Sequence, residues 1–105
     1  MICPAMMDTG DFEANLAAAA GGDPALRAEL AACFAQSVAH QVDLLHRSRC
    51  DANWDMAARR LKGLGASFHA AELCRLAEEA IDSAPGDPVI LRKLAQFSQK
   101  ITAAN

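Results

Sequence analysis

The chain has 105 residues, 52% of them hydrophobic, and its 10 Lys and Arg against 13 Asp and Glu leave a net charge of −3. That length supports one domain around a single core. The mildly acidic balance, with no run of five like charges, excludes bulk electrostatic binding to nucleic acid or to an anionic membrane surface.

Abundant Ala and Leu with few aromatics and no Tyr favour helix over sheet, because these side chains lose little freedom in a helix. No apolar run approaches the ~20 residues that span a bilayer. The start, Met1-Ile2-Cys3-Pro4-Ala5-Met6-Met7, lacks the basic region and long apolar stretch of a signal peptide, so the chain reads as cytoplasmic. Cys3, Cys33, Cys50 and Cys74 form no C-x-x-C pair and share no zinc-like spacing with histidine, so no metal or cofactor is expected. Cys33 on a helix stripe and Cys74 beside one read as buried, reduced thiols.

Residues 1–9 carry no periodic pattern and read as a flexible tail; residues 10–105 read as one domain. A short helix fits Asp11 to Ala20, with Phe12, Leu16 and Ala19 on its inner side, and Gly21-Gly22 ends it. Asp23-Pro24 starts the next helix, since aspartate caps free amides and proline at the first turn has none to leave unpaired. The same Gly-Asp-Pro series recurs at 86–88. From Pro24 to about Arg49 an apolar stripe runs through Leu26, Leu30, Cys33, Phe34, Ser37, Val38, Gln41, Leu44 and Leu45. Cys50-Asp51-Ala52-Asn53 interrupts it, with Asp51 or Asn53 as the cap of a third helix. That helix carries Trp54, Ala57, Ala58, Leu61, Leu64, Gly65 and Phe68 on one face. After a joint at Phe68-His69-Ala70, a fourth helix places Leu73, Leu76, Ala77, Ala80 and Ile81 together. A fifth follows Pro88 with Ile90, Leu94, Phe97 and Ile101. The expected fold is all-α: an up-and-down four-helix bundle with a short N-terminal cap helix.

The third helix holds Arg59-Arg60-Leu61-Lys62-Gly63-Leu64-Gly65-Ala66-Ser67-Phe68. At 100° per residue from the inward Leu61, Lys62 lies ~100° round, Ala66 ~140°, Arg59 ~160° and Gly63 ~200°. These four share a solvent-facing strip, while Leu61, Leu64 and Phe68 point inward. The segment resembles the signature of histidine-containing phosphotransfer (HPt) domains, His-x-Leu-Lys-Gly-Ser-x-Ala. Leu61-Lys62-Gly63, then Ala66, Phe68, Ala70 and Leu73, fall in register with it. The likeness spans about residues 11–102, with only 59–73 motif-specific. Arg59 stands where the phosphorylated histidine belongs. Leu64 and Gly65 replace small hydroxylated residues often found there, and His69 replaces the usual glycine.

The resemblance implies that this strip docks a receiver domain, with the glycine allowing close approach and the lysine assisting the phosphorylated imidazole. Neutral imidazole accepts a phosphoryl group through an unprotonated ring nitrogen, whereas guanidinium stays protonated and has no lone pair to offer. Arg59 therefore cannot carry the chemistry. Arg59, Arg60 and Lys62 still suit the acidic, metal-binding cleft of a receiver. Asp55, one turn earlier, pairs with Arg59 for a few tenths of a kcal/mol.

His40 and His46 are the surrogate phosphoacceptors to consider. His40 falls ~80–90° from the centre of the second helix's stripe, at the bundle edge, and its ordinary reading is a flank histidine with a polar partner. His46 lies nearly opposite the stripe, and His69 sits at the joint off the Arg59 line. None has lysine and glycine one turn downstream. The expected function is thus a monomeric, non-enzymatic HPt-like protein of two-component signalling. It would bind a response-regulator receiver or hybrid histidine kinase through Arg59, Arg60, Lys62, Gly63 and Ala66 without relaying phosphate. The alternatives are an active protein using His40 or His46, or one whose natural residue at 59 is histidine. A helical adaptor or oligomerisation bundle outside signalling is the reading from another class. The sequence shows no Ser/His/Asp grouping, no paired acids in a plausible cleft and no phosphate-cradling glycine loop.

Overall fold

The computed structural model describes residue 14 and residues 16–103, and every described element is helical. The expected tail and Phe12 lie outside the described residues. A short helix, α1, covers residues 16–19 and is followed by α2 (Pro24–Arg47), α3 (Asp51–Ser67), α4 (Ala71–Ile81) and α5 (Pro88–Ala103).

The helix boundaries follow from local chemistry. In α1, Gly22 N donates to Ala17 O and Gly21 N to Ala18 O, the double bond of a Schellman turn. Gly21 adopts φ 62, open to glycine at little cost. Asp23 then accepts from Ala25 N at 2.9 Å and Leu26 N at 3.4 Å, with Pro24 in the first turn. The repeated Gly-Asp-Pro acts the same way before α5, where Asp87 Oδ1 accepts from Val89 N at 2.9 Å. The third start differs from expectation. Cys50 is the N-cap of α3 and makes no side-chain cap bond, while Asp51 already lies inside the first turn. There its charge still complements the positive end of the helix dipole. α2 stops at Arg47, two residues early, because Ser48 turns extended and its hydroxyl donates to Leu44 O.

α3 ends in a second Schellman turn: Ala70 N donates to Gly65 O at 2.7 Å and His69 N to Ala66 O at 3.4 Å. Here the left-handed position belongs to His69, with φ 57. A branched or ring-bearing residue pays ~1–2 kcal/mol there relative to its usual conformations. The His69 side chain is exposed and makes no hydrogen bond or ion pair among the described residues, so nothing offsets that strain. His69→Gly is therefore expected to stabilise the domain by ~0.5–1 kcal/mol, partly offset by the freer unfolded chain. The check is a thermal melt: an unchanged or lowered Tm counts against the strain.

The four longer helices make a closed ring of neighbours, α2–α3–α4–α5–α2, with α3 and α4 in the most extensive contact. Their directions follow from contacts at both ends. Phe34 of α2 packs on Phe68 at the end of α3, ring centroids 4.6 Å apart. Trp54 Nε1, at the start of α3, donates to Ala80 O at the end of α4 at 2.7 Å. Lys93 and Lys100 of α5 reach Glu79 and Glu72 of α4. Consecutive long helices are thus antiparallel. The core they enclose includes Phe34, Val38, Leu45, Trp54, Leu61, Leu73, Ile90, Leu94 and Phe97, all buried.

The inner faces of α3, α4 and α5 match their sequence stripes, with Leu64, Phe68, Leu76, Ile81 and Ile101 half-buried at the margins. α2 does not. Its buried residues are Phe34, Ala35, Val38 and Leu45, with Val42 against them, a face turned by roughly 70° from the expected stripe. Leu26 and Cys33 are exposed, so the expectation of a buried Cys33 is corrected; Cys74 is half-buried. α2 contacts both α3 and α5, and Val42 packs partly buried against the core these helices share. In α1 the inner positions are Leu16 and Ala20, and Ala19 is exposed rather than inward.

Candidate functional site

α3 exposes one continuous outer row. Ala52, Met56, Arg59, Gly63 and Ala66 are all exposed and alternate by four and three residues, the spacing that keeps side chains in line along a helix. Arg60 and Lys62, also exposed, lie on opposite flanks of this row, about 100° either side of Leu61. The residues expected to form a docking strip are therefore together and accessible. Met56, 49% exposed, belongs to the same row and was missed. The 4-3 spacing from Ala52 was the available signal, but the HPt-like motif drew the strip to start at Arg59.

Arg59 Nε donates to Asp55 Oδ2 at 2.7 Å, the expected i,i+4 pair, with side chains 63% and 46% exposed. Such an exposed pair adds at most a few tenths of a kcal/mol to stability. Its larger consequence is orientation. One edge of the guanidinium is held back along the helix, and its two Nη groups have no partner among the described residues. Arg60 and Lys62 form no ion pair there either. Three cations thus stand along and beside the outer row of an acidic chain, and among the described residues Asp55 is the one opposing charge paired to them.

The two helical glycines of α3 differ in what surrounds them. A β-carbon on Gly65 would meet Cys74 Sγ at 2.8 Å, Cys74 N at 3.0 Å and Ala70 O at 3.1 Å. Gly65 is buried where α3 and α4 converge, and two of those atoms are backbone, so a side chain has no room. Gly63 meets nothing within 4 Å. A glycine inside an exposed helix costs about 0.5–1 kcal/mol relative to alanine. No packing among the described residues requires that cost at Gly63.

The histidines stand apart from this row. His40, His46 and His69 are exposed, and the side chains of His40 and His46 make no hydrogen bond or ion pair among the described residues. The expected polar partner of His40 is thus not found there. Because the buried face of α2 turns toward Ala35 and Val42, His40 lies about 200° from Val38, on the outer side rather than at the edge. His69 borders a half-open cavity of about 440 Å³ lined by Leu16, Ala18, Ala19, Leu30, Ser67 and Phe68, at the far end of α3 from Met56.

Among the described residues, no three His, Cys, Asp or Glu side chains stand close enough to hold a metal ion. No helix among them is long and apolar enough to cross a membrane. Comparison with models of known protein families, with curated proteins and with solved structures found no match to this chain, so the site is read from its own residues.

Proposed function

We propose that this chain is an HPt-like four-helix bundle, capped by α1, that binds a receiver domain through the outer row of α3 without carrying phosphate. The observation that carries the reading is Gly63: a solvent-facing helical glycine with open space around it, between Arg59 and Ala66. Its missing side chain makes room for nothing among the described residues, and its use is then a close approach from outside. One further feature supports the likeness: the left-handed φ at His69 falls where the HPt pattern has glycine.

Chemistry separates binding from transfer. Arg59 offers hydrogen-bond donors and charge but no nucleophilic lone pair. His40 and His46, on the outer side and near the end of α2, lack the Lys-Gly setting. The protein therefore acts by occupying a receiver or hybrid kinase, sequestering it or biasing its state.

The test uses Gly63→Leu. A leucine in an exposed helix interior should leave the thermal melt unchanged or slightly raised. It should weaken binding to cognate receiver domains at least tenfold, measured by calorimetry, because it blocks close approach. Equal receiver binding by both proteins would sink the docking face, and acid-labile label appearing on the parent chain from a phosphorylated receiver would sink the non-transferring role. Met56 on the same row favours one rival, self-association through α3; a concentration-dependent shift in sedimentation, abolished by Gly63→Leu with no receiver binding, would establish it instead.

A further inference from the structure

Resting on the receiver-docking reading, we propose that Arg59 makes the α3 face selective for the phosphorylated state of its partner's acidic pocket. The ligand chemistry is a phosphoryl group seated beside a divalent cation, presented by the receiver surface.

Arg59 differs from an ordinary surface arginine in how its donors are divided. Nε is engaged by Asp55 Oδ2 at 2.7 Å, while neither Nη group has a partner among the described residues. The carboxylate one turn earlier biases the side chain along the helix, so somewhat fewer rotamers are lost when the outer edge is used. That edge offers planar N–H groups whose spacing matches two oxygens of a phosphoryl or carboxylate group. Gly63, one turn on with nothing within 4 Å, lets the partner's surface come close enough for direct hydrogen bonds. Arg60 and Lys62 flank the same point from opposite sides and are not ion-paired among the described residues. They add attraction that grows with the partner's negative charge.

The two states of the pocket differ in what they show this edge. In an unphosphorylated pocket, carboxylate oxygens are already coordinated to the metal. Phosphorylation replaces one carboxylate by a group with three strong acceptor oxygens and more negative charge. These oxygens and the added charge give a docked guanidinium stronger acceptors than a metal-bound carboxylate does. The fixed fork of Arg59 therefore gains its best acceptors only after phosphorylation. No covalent step is involved: no bond to phosphorus forms or breaks. Such a protein withdraws activated regulators and leaves resting ones free.

The experiment titrates the full chain into a cognate receiver with magnesium alone and with magnesium plus beryllofluoride, a stable mimic of the phosphoryl group. The expected result is binding about tenfold or more tighter with beryllofluoride. In Arg59→Lys, which keeps the charge but loses the planar fork, the ratio between the two conditions should fall, leaving only the part that follows from net charge. Binding that is equal or weaker with beryllofluoride overturns the selectivity while the docking reading stands. A ratio retained in Arg59→Lys overturns the role of Arg59, and no binding in either condition overturns selectivity and docking together.

Discussion

On the proposed receiver-docking role, Arg59→His is expected to turn this chain into a phosphoryl acceptor. The parent should gain no acid-labile label from a phosphorylated receiver, and the variant should approach one phosphoryl group per chain. The expectation rests on what the substitution leaves alone. Arg59 is exposed and its one partner among the described residues is Asp55, in a pair worth a few tenths of a kcal/mol, so the core and Tm should hardly move. Lys62 and Gly63 keep their places on the row. What changes is the atom presented to the partner: an imidazole nitrogen with a lone pair replaces a permanently protonated fork. Label transfer is read by gel or mass spectrometry, with Tm as the folding control. A folded variant that still binds receivers yet takes no label would mean that the scaffold lacks more than its nucleophile.

Trp54→Ala is expected to have the largest effect on stability. Trp54 is 2% exposed and joins the start of α3 to the end of α4. Removing a buried indole costs about 3–5 kcal/mol through lost burial and the cavity left behind. For a domain of this size, each kcal/mol shifts Tm by about 4–8 °C, so the melt should fall by 12 °C or more or the chain should not fold. Trp54→Phe isolates the polar part. Ala80 O also accepts from Ser83 N at 3.0 Å, so it is not orphaned when the indole N–H goes. That variant should lose only about 1–2 kcal/mol, hydrogen bond and smaller ring combined. Trp54→Ala costing no more than Trp54→Phe would show that the α3–α4 contact does not depend on this ring.

The two variants probe separate layers of the molecule, and the sequence was unequally legible in them. The starts of α2 and α5 were readable because Gly-Asp-Pro acts within four residues: aspartate bonds to amides two and three positions on, whatever packs elsewhere. The inner faces of α3, α4 and α5 were readable because large apolar residues recur with the helical period and little else competes for burial. The start of α3 was less so. Asp51 and Asn53 both have capping side chains, yet the chain turns helical at Asp51 and leaves Cys50 as an unassisted cap.

The face of α2 shows where one-dimensional pattern stops. Leu26, Cys33 and Leu44 pulled the expected stripe to one side, but two neighbouring helices decide which side of α2 is covered. Ala35 is buried and Val42 packs against the core, Cys33 faces solvent, and His40 moves from the edge to the outer side. A periodic pattern finds the most apolar direction of an isolated helix. It does not contain the positions of α3 and α5, because those are set by contacts distant in sequence.

The candidate site divides the same way. By itself, the sequence determined that Arg59, Lys62, Gly63 and Ala66 share an outward strip and that Arg59 cannot be a phosphoacceptor. Both follow from helix periodicity and the absence of a lone pair on guanidinium. Only the tertiary structure distinguished the two glycines of α3, one closed in by Cys74 and Ala70 and the other open. It also showed His69 in a left-handed turn. Space around an atom depends on which helix lies across from it, and the strain of a turn depends on where the next helix must go. Neither quantity is local to the residues that bear it.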